Sequence, residues 1–134
     1  MKTKVAFVCV GNSCRSQMAE GFARRLGGDI LEPYSAGTEP VAQINPTASL
    51  VMEEVGIDLS GQYPKLLSEL PQSIDLLITM GCNVQCPTLP CKFREDWGIE
   101  DPVGKPIEKF REVRDLIEEK VAGLIEKVKA NKVF

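Results

Sequence analysis

Six consecutive apolar residues, Val5-Ala6-Phe7-Val8-Cys9-Val10, follow the polar start Met1-Lys2-Thr3-Lys4. A strand with one face in water alternates polar and apolar side chains, whereas an unbroken run of this length belongs to a strand covered on both faces. A short polar stretch, Gly11-Asn12-Ser13-Cys14-Arg15-Ser16, comes next. Met18, Ala19, Phe22, Ala23 and Leu26 then recur at helical spacing until Gly27-Gly28 supplies a stop. Buried strand, tight loop and helix make the first half of a βαβ unit, and such units build parallel sheets with helices on both faces.

The rest of the chain repeats that alternation. "DILEPYSAG" (29–37) reads as a second strand, and Pro33 inside it points to a sheet edge. Asn45-Pro46 is a cap with a first-turn proline; Ala48, Val51, Met52 and Val55 form the apolar face of that helix, and Gly56 ends it. A short connecting helix fits around 64–70. "SIDLLITM" (73–80) reads as a third buried strand and "KFREDW" (92–97) as a short edge strand. From Ile107, apolar residues at Phe110, Val113, Ile117, Val121, Leu124 and Val128 mark a C-terminal helix. The expected fold is α/β, a three-layer sandwich whose four-stranded parallel sheet is flanked by helices on both faces. With 134 residues and no linker or repeat, residues 1–134 read as a single domain.

In parallel sheets ligands bind beyond the carboxyl ends of the strands, near the switch in strand order. Cys9 stands at such an end, as do Met80-Gly81-Cys82 after the third strand and Glu100-Asp101-Pro102 after the fourth. A loop between a strand and a helix N-terminus turns several backbone N–H groups toward one point. In Val10-Gly11-Asn12-Ser13-Cys14-Arg15, Gly11 lets the backbone turn and Asn12 tolerates a positive φ. Arg15 adds a planar charged fork that matches two oxygens of a tetrahedral oxyanion. Such surroundings favour a thiolate, so Cys9 can attack the central atom of a bound phosphate or arsenate. The plainer alternative is a buried strand-end cysteine beside a solvated arginine. The strand before the motif and the helix after it favour the active-site loop.

Composition removes competitors. There is no histidine, which excludes Ser-His-Asp triads, Cys-His proteases and imidazole-built zinc sites. A formal net charge of −3 without a basic run argues against nucleic-acid binding. No N-terminal run is long enough for a signal peptide or membrane span, so the expected setting is a reducing cytoplasm without membrane association. Five cysteines there point to catalysis, redox chemistry or metal binding rather than to a disulfide framework.

"CVGNSCRSQMAEGFA" (9–23) resembles the signature loop of the low-molecular-weight protein tyrosine phosphatase superfamily, and Ser13 with Gln17-Met18-Ala19-Glu20 leans toward its thioredoxin-coupled arsenate reductases. "YSAGTEP" (34–40), "NPTA" (45–48), "EVGIDLS" (54–60), "DLLITM" (75–80) and "REDWGIEDP" (94–102) extend the resemblance over most of the chain. The family fold, a four-stranded parallel sheet flanked by helices, agrees with the reading above. By resemblance Cys9 is the nucleophile, Arg15 the oxyanion clamp and Ser16 a hydroxyl that steadies the thiolate. Asp101 in "EDP" is the general acid, although a carboxylate before proline is also a common turn residue.

A phosphatase needs only Cys9, Arg15 and Asp101, while a reductase needs two further thiols for successive thiolate attacks. The resemblance assigns these to Cys82, after "ITMG", and Cys86, before Pro87, with Cys91 an added candidate, either for the resolving role or as a partner of Cys86 in an alternative exit for oxidising equivalents. Their spacing, Cys-x3-Cys, is shorter than the family pattern. Zinc binding by Cys82, Cys86 and Cys91, or three inert buried thiols in a phosphatase, are the competing readings. Cys14 reads as a packing residue facing away from the ligand. Some family members hold potassium at positions matching Asn12, Glu20 and Ser35 plus an aspartate; this chain has Lys65 in "GQYPKLL" (61–67), so no metal site is expected. Asp96 stands where the family commonly has histidine.

These features imply an arsenate reductase that uses no cofactor, takes electrons from thioredoxin or an equivalent dithiol protein, and acts as a monomer. The alternatives are an aryl phosphate phosphatase and a non-enzymatic phospho-binding or redox-sensing domain. Val103-Gly104 after the Asp-Pro pair, where family phosphatases carry aromatic residues, favours the reductase.

Overall fold

A computed structural model describes residues 2–81 and 91–130. Its elements run β1 (Thr3–Cys9), α1 (Arg15–Gly27), β2 (Leu31–Gly37), α2 (Pro46–Glu53), a 3-10 turn (Leu67–Glu69), β3 (Ile74–Thr79), β4 (Cys91–Asp96) and α3 (Ile107–Lys129). The four strands form one parallel sheet in the order β2-β1-β3-β4. The chain leaves β1 toward β2 on one side and later returns to pair β3 on the other. Strand order therefore reverses at β1, directly below the loop that follows Cys9.

Side-chain alternation along β1 explains its unbroken apolar run. Val5, Phe7 and Cys9 enter one core with Met18 and Phe22 of α1, Val51 and Met52 of α2, and Ile117 and Val121 of α3. Ala6 and Val8 point the other way, toward Ala36, Leu70 and Leu77, with Leu67 of the 3-10 turn packed against them. Among the described residues the three α-helices lie on one face of the sheet, and the helical cover on the other face is the short 3-10 segment around Leu67–Leu70. Leu77 of β3 faces this second layer, while Leu76 and Ile78 face the first.

Most local signals act as expected. Pro33 sits in β2, an edge strand, where its missing N–H costs no ladder bond. Asn45 Oδ1 accepts the N–H groups of Thr47 (2.9 Å) and Ala48 (3.3 Å), capping α2, and Gly56 follows it at φ +80°. Three details differ. The segment 64–70 forms only a 3-10 turn. Leu26, placed on the apolar face of α1, is 44% exposed. Gly28 ends α1 in right-handed geometry, so the glycine pair is no left-handed cap. Gly27 is needed for space, since a Cβ there would lie 2.8 Å from Ile125 of α3. Beyond the expected apolar positions, α3 also buries Ile125 and Arg114. No described helix is long and apolar enough to cross a membrane.

Candidate active site

The loop between β1 and α1 has its carbonyl oxygens drawn outward. Cys9 O accepts from Thr38 N (3.3 Å), Val10 O from Glu39 N (2.9 Å), Gly11 O from Val41 N (3.1 Å) and Ser13 O from Asn45 N (2.9 Å). Asn12 O accepts from Gln17 Nε2 at 2.9 Å. In a trans peptide the next residue's N–H points opposite to the carbonyl, and no cis bond occurs among the described residues. The N–H groups of Val10, Gly11, Asn12, Ser13 and Cys14 are thereby directed inward. Cys14 O accepts from Met18 N within α1, and Cys14 as N-cap gives the first helical turn no side-chain acceptor. Those first-turn donors, with the positive end of the helix dipole, remain for an anion. The one left-handed residue is Asn12, at φ +51°; Gly11 has ordinary φ, so the turn expected of Gly11 is made by Asn12.

Cys9 Sγ lies 2.8 Å from Ser16 Oγ. The direction of that bond follows from its neighbours. Lys65 N donates to Asn12 Oδ1 (2.9 Å), which leaves Asn12 Nδ2 to donate to Ser16 Oγ (2.8 Å). Ser16 accepts from Asn12, so its own proton is available for donation to Cys9 Sγ. Gln17, fully buried, secures the other side: Nε2 also donates to Tyr63 O (3.0 Å), and Gln62 Nε2 donates to Gln17 Oε1 (2.7 Å).

Arg15 is buried, and its Nη1 donates to the carbonyl oxygens of Ile99 (2.8 Å) and Met80 (3.3 Å). Backbone pairing continues past the ends of β3 and β4, through Trp97 N to Thr79 O (2.8 Å) and Ile99 N to Met80 O (2.9 Å). The segments cross closely, because a Cβ on Gly81 (φ +96°) would meet Gly98 Cα at 2.7 Å. This pairing carries Asp101 to the mouth of the loop, where Oδ2 stands 3.8 Å from Arg15 Nη2 with half its side chain exposed. Asp101 Oδ1 also accepts from Val103 N (3.1 Å), the turn role open to a carboxylate before proline.

Cys9, Val10, Gly11, Ser13, Cys14, Arg15 and Asp101 line one cavity of 390 Å³, with Val41 and Val103 at its rim. Asn12 is buried behind it rather than lining it. Cys14 packs into the main core and also borders the cavity, so it does not simply face away. Burial first, then the charge of Asp101, pushes the Cys14 thiol far above its ordinary range and keeps it protonated.

Sequence positions 9–16 and 101 therefore converge. Cys82 and Cys86 lie outside the described residues, and so does the choice between relay, zinc and inert thiols for them. Cys91 is described, at the first residue of β4, level with Ile74 of β3 and packed against the second core. Cys9 ends β1. The register places Cys91 at the opposite end of the sheet, about 20 Å away along the strand direction at roughly 3.3 Å per residue. Asp96 caps β4 by accepting from Thr79 Oγ1 at 2.6 Å, away from the cavity lining. Gln17, Lys65 and the donors at 38–45 carry no sequence mark as loop supports, because nothing local signals contacts made across 5 to 53 residues.

The profile described as low molecular weight phosphotyrosine protein phosphatase matches residues 4–133. A glutaredoxin arsenate reductase from Synechocystis sp. (strain ATCC 27184 / PCC 6803 / Kazusa) is 45% identical over 129 residues, spanning 93% of this chain and 98% of that protein. A solved arsenate reductase in the phosphate binding state superposes with a TM-score of 0.87 at 46% identity, covering 95% of this chain and 98% of the other. The Corynebacterium glutamicum thioredoxin-dependent arsenate reductase does so at 0.80 and 30% identity, over 97% of this chain and 63% of its own.

Proposed function

The chain belongs to the low molecular weight phosphotyrosine protein phosphatase family and, within it, to the arsenate reductases; from that premise we propose how residues 1–134, as one domain, carry out the reduction. Arsenate binds in the loop, its oxygens held by the N–H groups of Val10 to Arg15 and by the Arg15 guanidinium. Cys9 thiolate attacks arsenic, and Asp101 protonates the oxygen that leaves as water. Cys82 thiolate then attacks Cys9 Sγ. A Cys9–Cys82 disulfide forms, the Cys9–arsenic electron pair stays on arsenic, and arsenite departs. Cys86 thiolate attacks Cys82, freeing Cys9 and leaving a Cys82–Cys86 disulfide. A dithiol protein of the thioredoxin type reduces that bond, returning the two electrons that arsenic received. Such a cycle suits a reducing cytoplasm.

The observation that carries this reading is the outward pull on the carbonyls of residues 9–13, which aims the loop's N–H groups inward at one cavity with Cys9, Arg15 and Asp101 on its wall. The same three side chains suffice for hydrolysis of an aryl phosphate, so that activity is expected as a side reaction. The rim is built from Val41 and Val103, which offer a phenyl ring contact but no stacking partner.

The deciding experiment is NADPH consumption by the purified protein with arsenate, run in parallel with a thioredoxin/thioredoxin reductase system and with a glutaredoxin/glutathione system. Arsenate-dependent consumption with thioredoxin supports the full proposal. Consumption with glutaredoxin alone moves the reductant to the class named for the Synechocystis relative. Aryl phosphate hydrolysis with no arsenate turnover in either system overturns the reductase reading.

A further inference from the structure

The potassium position implied by the family resemblance maps onto Asn12, Glu20 and Ser35, and here those donors are already engaged. Ser35 Oγ donates to Glu20 Oε1 at 2.6 Å, and Asn12 Oδ1 takes the backbone N–H of Lys65 at 2.9 Å. Lys65 Nζ donates to the Ser35 carbonyl oxygen at 3.1 Å and stands 3.8 Å from Glu20 Oε1. It also lies 4.8 Å from the centre of the Tyr63 ring, a further contact that favours a cation. A metal cation cannot share this spot with an ammonium group, since like charges at such separations repel strongly in a protein interior. The donor set does not fit potassium.

We propose that the Lys65 ammonium is a covalently tethered replacement for that cation, and that Lys65 is a positioning residue for the oxyanion loop. Glu20 is 5% exposed, and a carboxylate buried to that extent needs a compensating positive charge. Arg24 Nη1 serves Oε2 at 2.8 Å from a half-exposed position, which leaves Lys65 for the inner oxygen, Oε1. The lysine backbone completes the link, because Lys65 N holds Asn12 Oδ1 while Lys65 O accepts from Gly37 N at 2.9 Å. One residue thereby joins α1, the end of β2 and the left-handed Asn12, whose amide orients Ser16 toward Cys9. A tethered cation is present at every salt concentration, so the loop of this protein is set without recruiting an ion.

This proposal rests on the reading of the Cys9 loop as an oxyanion site, and two readouts keep the two separable. The first is the affinity for inorganic phosphate, measured by protection of Cys9 from iodoacetamide. The second is the thermal midpoint, which requires no oxyanion. Both are compared in potassium, sodium and tetramethylammonium chloride at one ionic strength. The native protein should give the same values in all three salts. Lys65→Met, which keeps the stem and so guards against unfolding, should weaken phosphate binding about tenfold in every salt. Lys65→Ala, which opens the space, should lose as much in tetramethylammonium and recover saturably in potassium or sodium, with a parallel rise in thermal midpoint. Failure of phosphate to protect native Cys9 would remove the oxyanion reading, and the thermal data would still judge Lys65. Saturable stabilisation of the native protein by potassium would overturn the replacement, as would a Lys65→Ala variant indifferent to small cations.

Discussion

A Cβ placed on Gly37 would lie 2.5 Å from the carbonyl oxygen of Val10 and 3.0 Å from the backbone nitrogen of Asn12. The last residue of β2 therefore touches the oxyanion loop backbone to backbone. The same stretch of chain supplies the N–H groups of Thr38 and Glu39 that draw the loop's carbonyls outward. Gly37→Ala must push the loop away, since the atoms it meets are main chain and the Asn12 Cβ, none of which can swing aside. The expected cost to stability is modest, about 1–3 kcal/mol as for other overpacked sites. The cost to phosphate binding should be at least about tenfold, because several N–H groups lose their common focus. A folded Gly37→Ala protein with native phosphate affinity would contradict this account of the loop.

Ser16 and Cys9 make a second test. If the Ser16 proton is directed at the thiolate, Ser16→Ala removes one hydrogen bond to a charged group, worth about 1.5–3 kcal/mol. Turnover should then fall on the order of 10–150-fold while phosphate still binds, as the backbone amides are untouched. Cys9→Ser should abolish turnover altogether, because a serine alkoxide is far harder to form near neutrality than a thiolate. Equal losses of binding and rate in Ser16→Ala would instead indicate a collapsed loop.

Much of this architecture is legible in local sequence, and the reason is periodicity. The continuous run at 5–10, the helical spacing from Phe110 to Leu124 and the Asn45-Pro46 cap each depend on neighbours within a few residues. Cys9 and Arg15 are legible for the same reason, since one short loop holds both. What holds that loop is not local. Asn12 is oriented by Lys65, Gln17 is pinned by Tyr63 and Gln62, and Arg15 is anchored on Met80 and Ile99. A glutamine on a helix or a lysine after proline carries no pattern that announces such a partner. The level of Cys91 is likewise invisible in sequence, because register is set by which residues of β3 and β4 pair.

Acid stability offers a check remote from the site. Glu54, just after α2, accepts from Arg111 Nη2 and Arg114 Nη1 of α3, each at 2.8 Å. Chiefly through the Arg111 hydrogen bond, its carboxyl is held at about 2, below its ordinary 4.5. A carboxylate depressed on folding stabilises the native state above the ordinary value, and that contribution is lost as pH falls from about 4.5 toward 2. The urea midpoint of the native protein should therefore drop more between pH 7 and pH 2.5 than that of Glu54→Gln. The difference should shrink in 1 M salt, roughly a 3 Å screening length, because these side chains are partly exposed. Identical drops in the two proteins would show that the α2–α3 ion pairs are not a source of acid sensitivity.

The last prediction separates the thiols. Cys82→Ser should stop arsenate turnover and spare aryl phosphate hydrolysis, since only reduction needs a second thiol to take the oxidising equivalents. Cys86→Ser should permit one turnover and then stall as a Cys9–Cys82 disulfide, because nothing resolves it. Cys91 is the instructive control. It opens β4 at the end of the sheet away from Cys9, about 20 Å down the strand direction, and its side chain packs against the second core. For Cys91 to reach Cys9, β4 would have to leave β3, breaking the pairing that also carries Asp101 to the cavity. A disulfide further requires the two Cα atoms to approach within about 4.4–6.8 Å. Cys91→Ser should therefore turn over arsenate at the native rate. Peptide mapping after one turnover without reductant should find a Cys82–Cys86 bridge and a free Cys91. A Cys82–Cys91 bridge would keep the relay but move the resolving role to Cys91, and no new disulfide at all would eliminate the reductase.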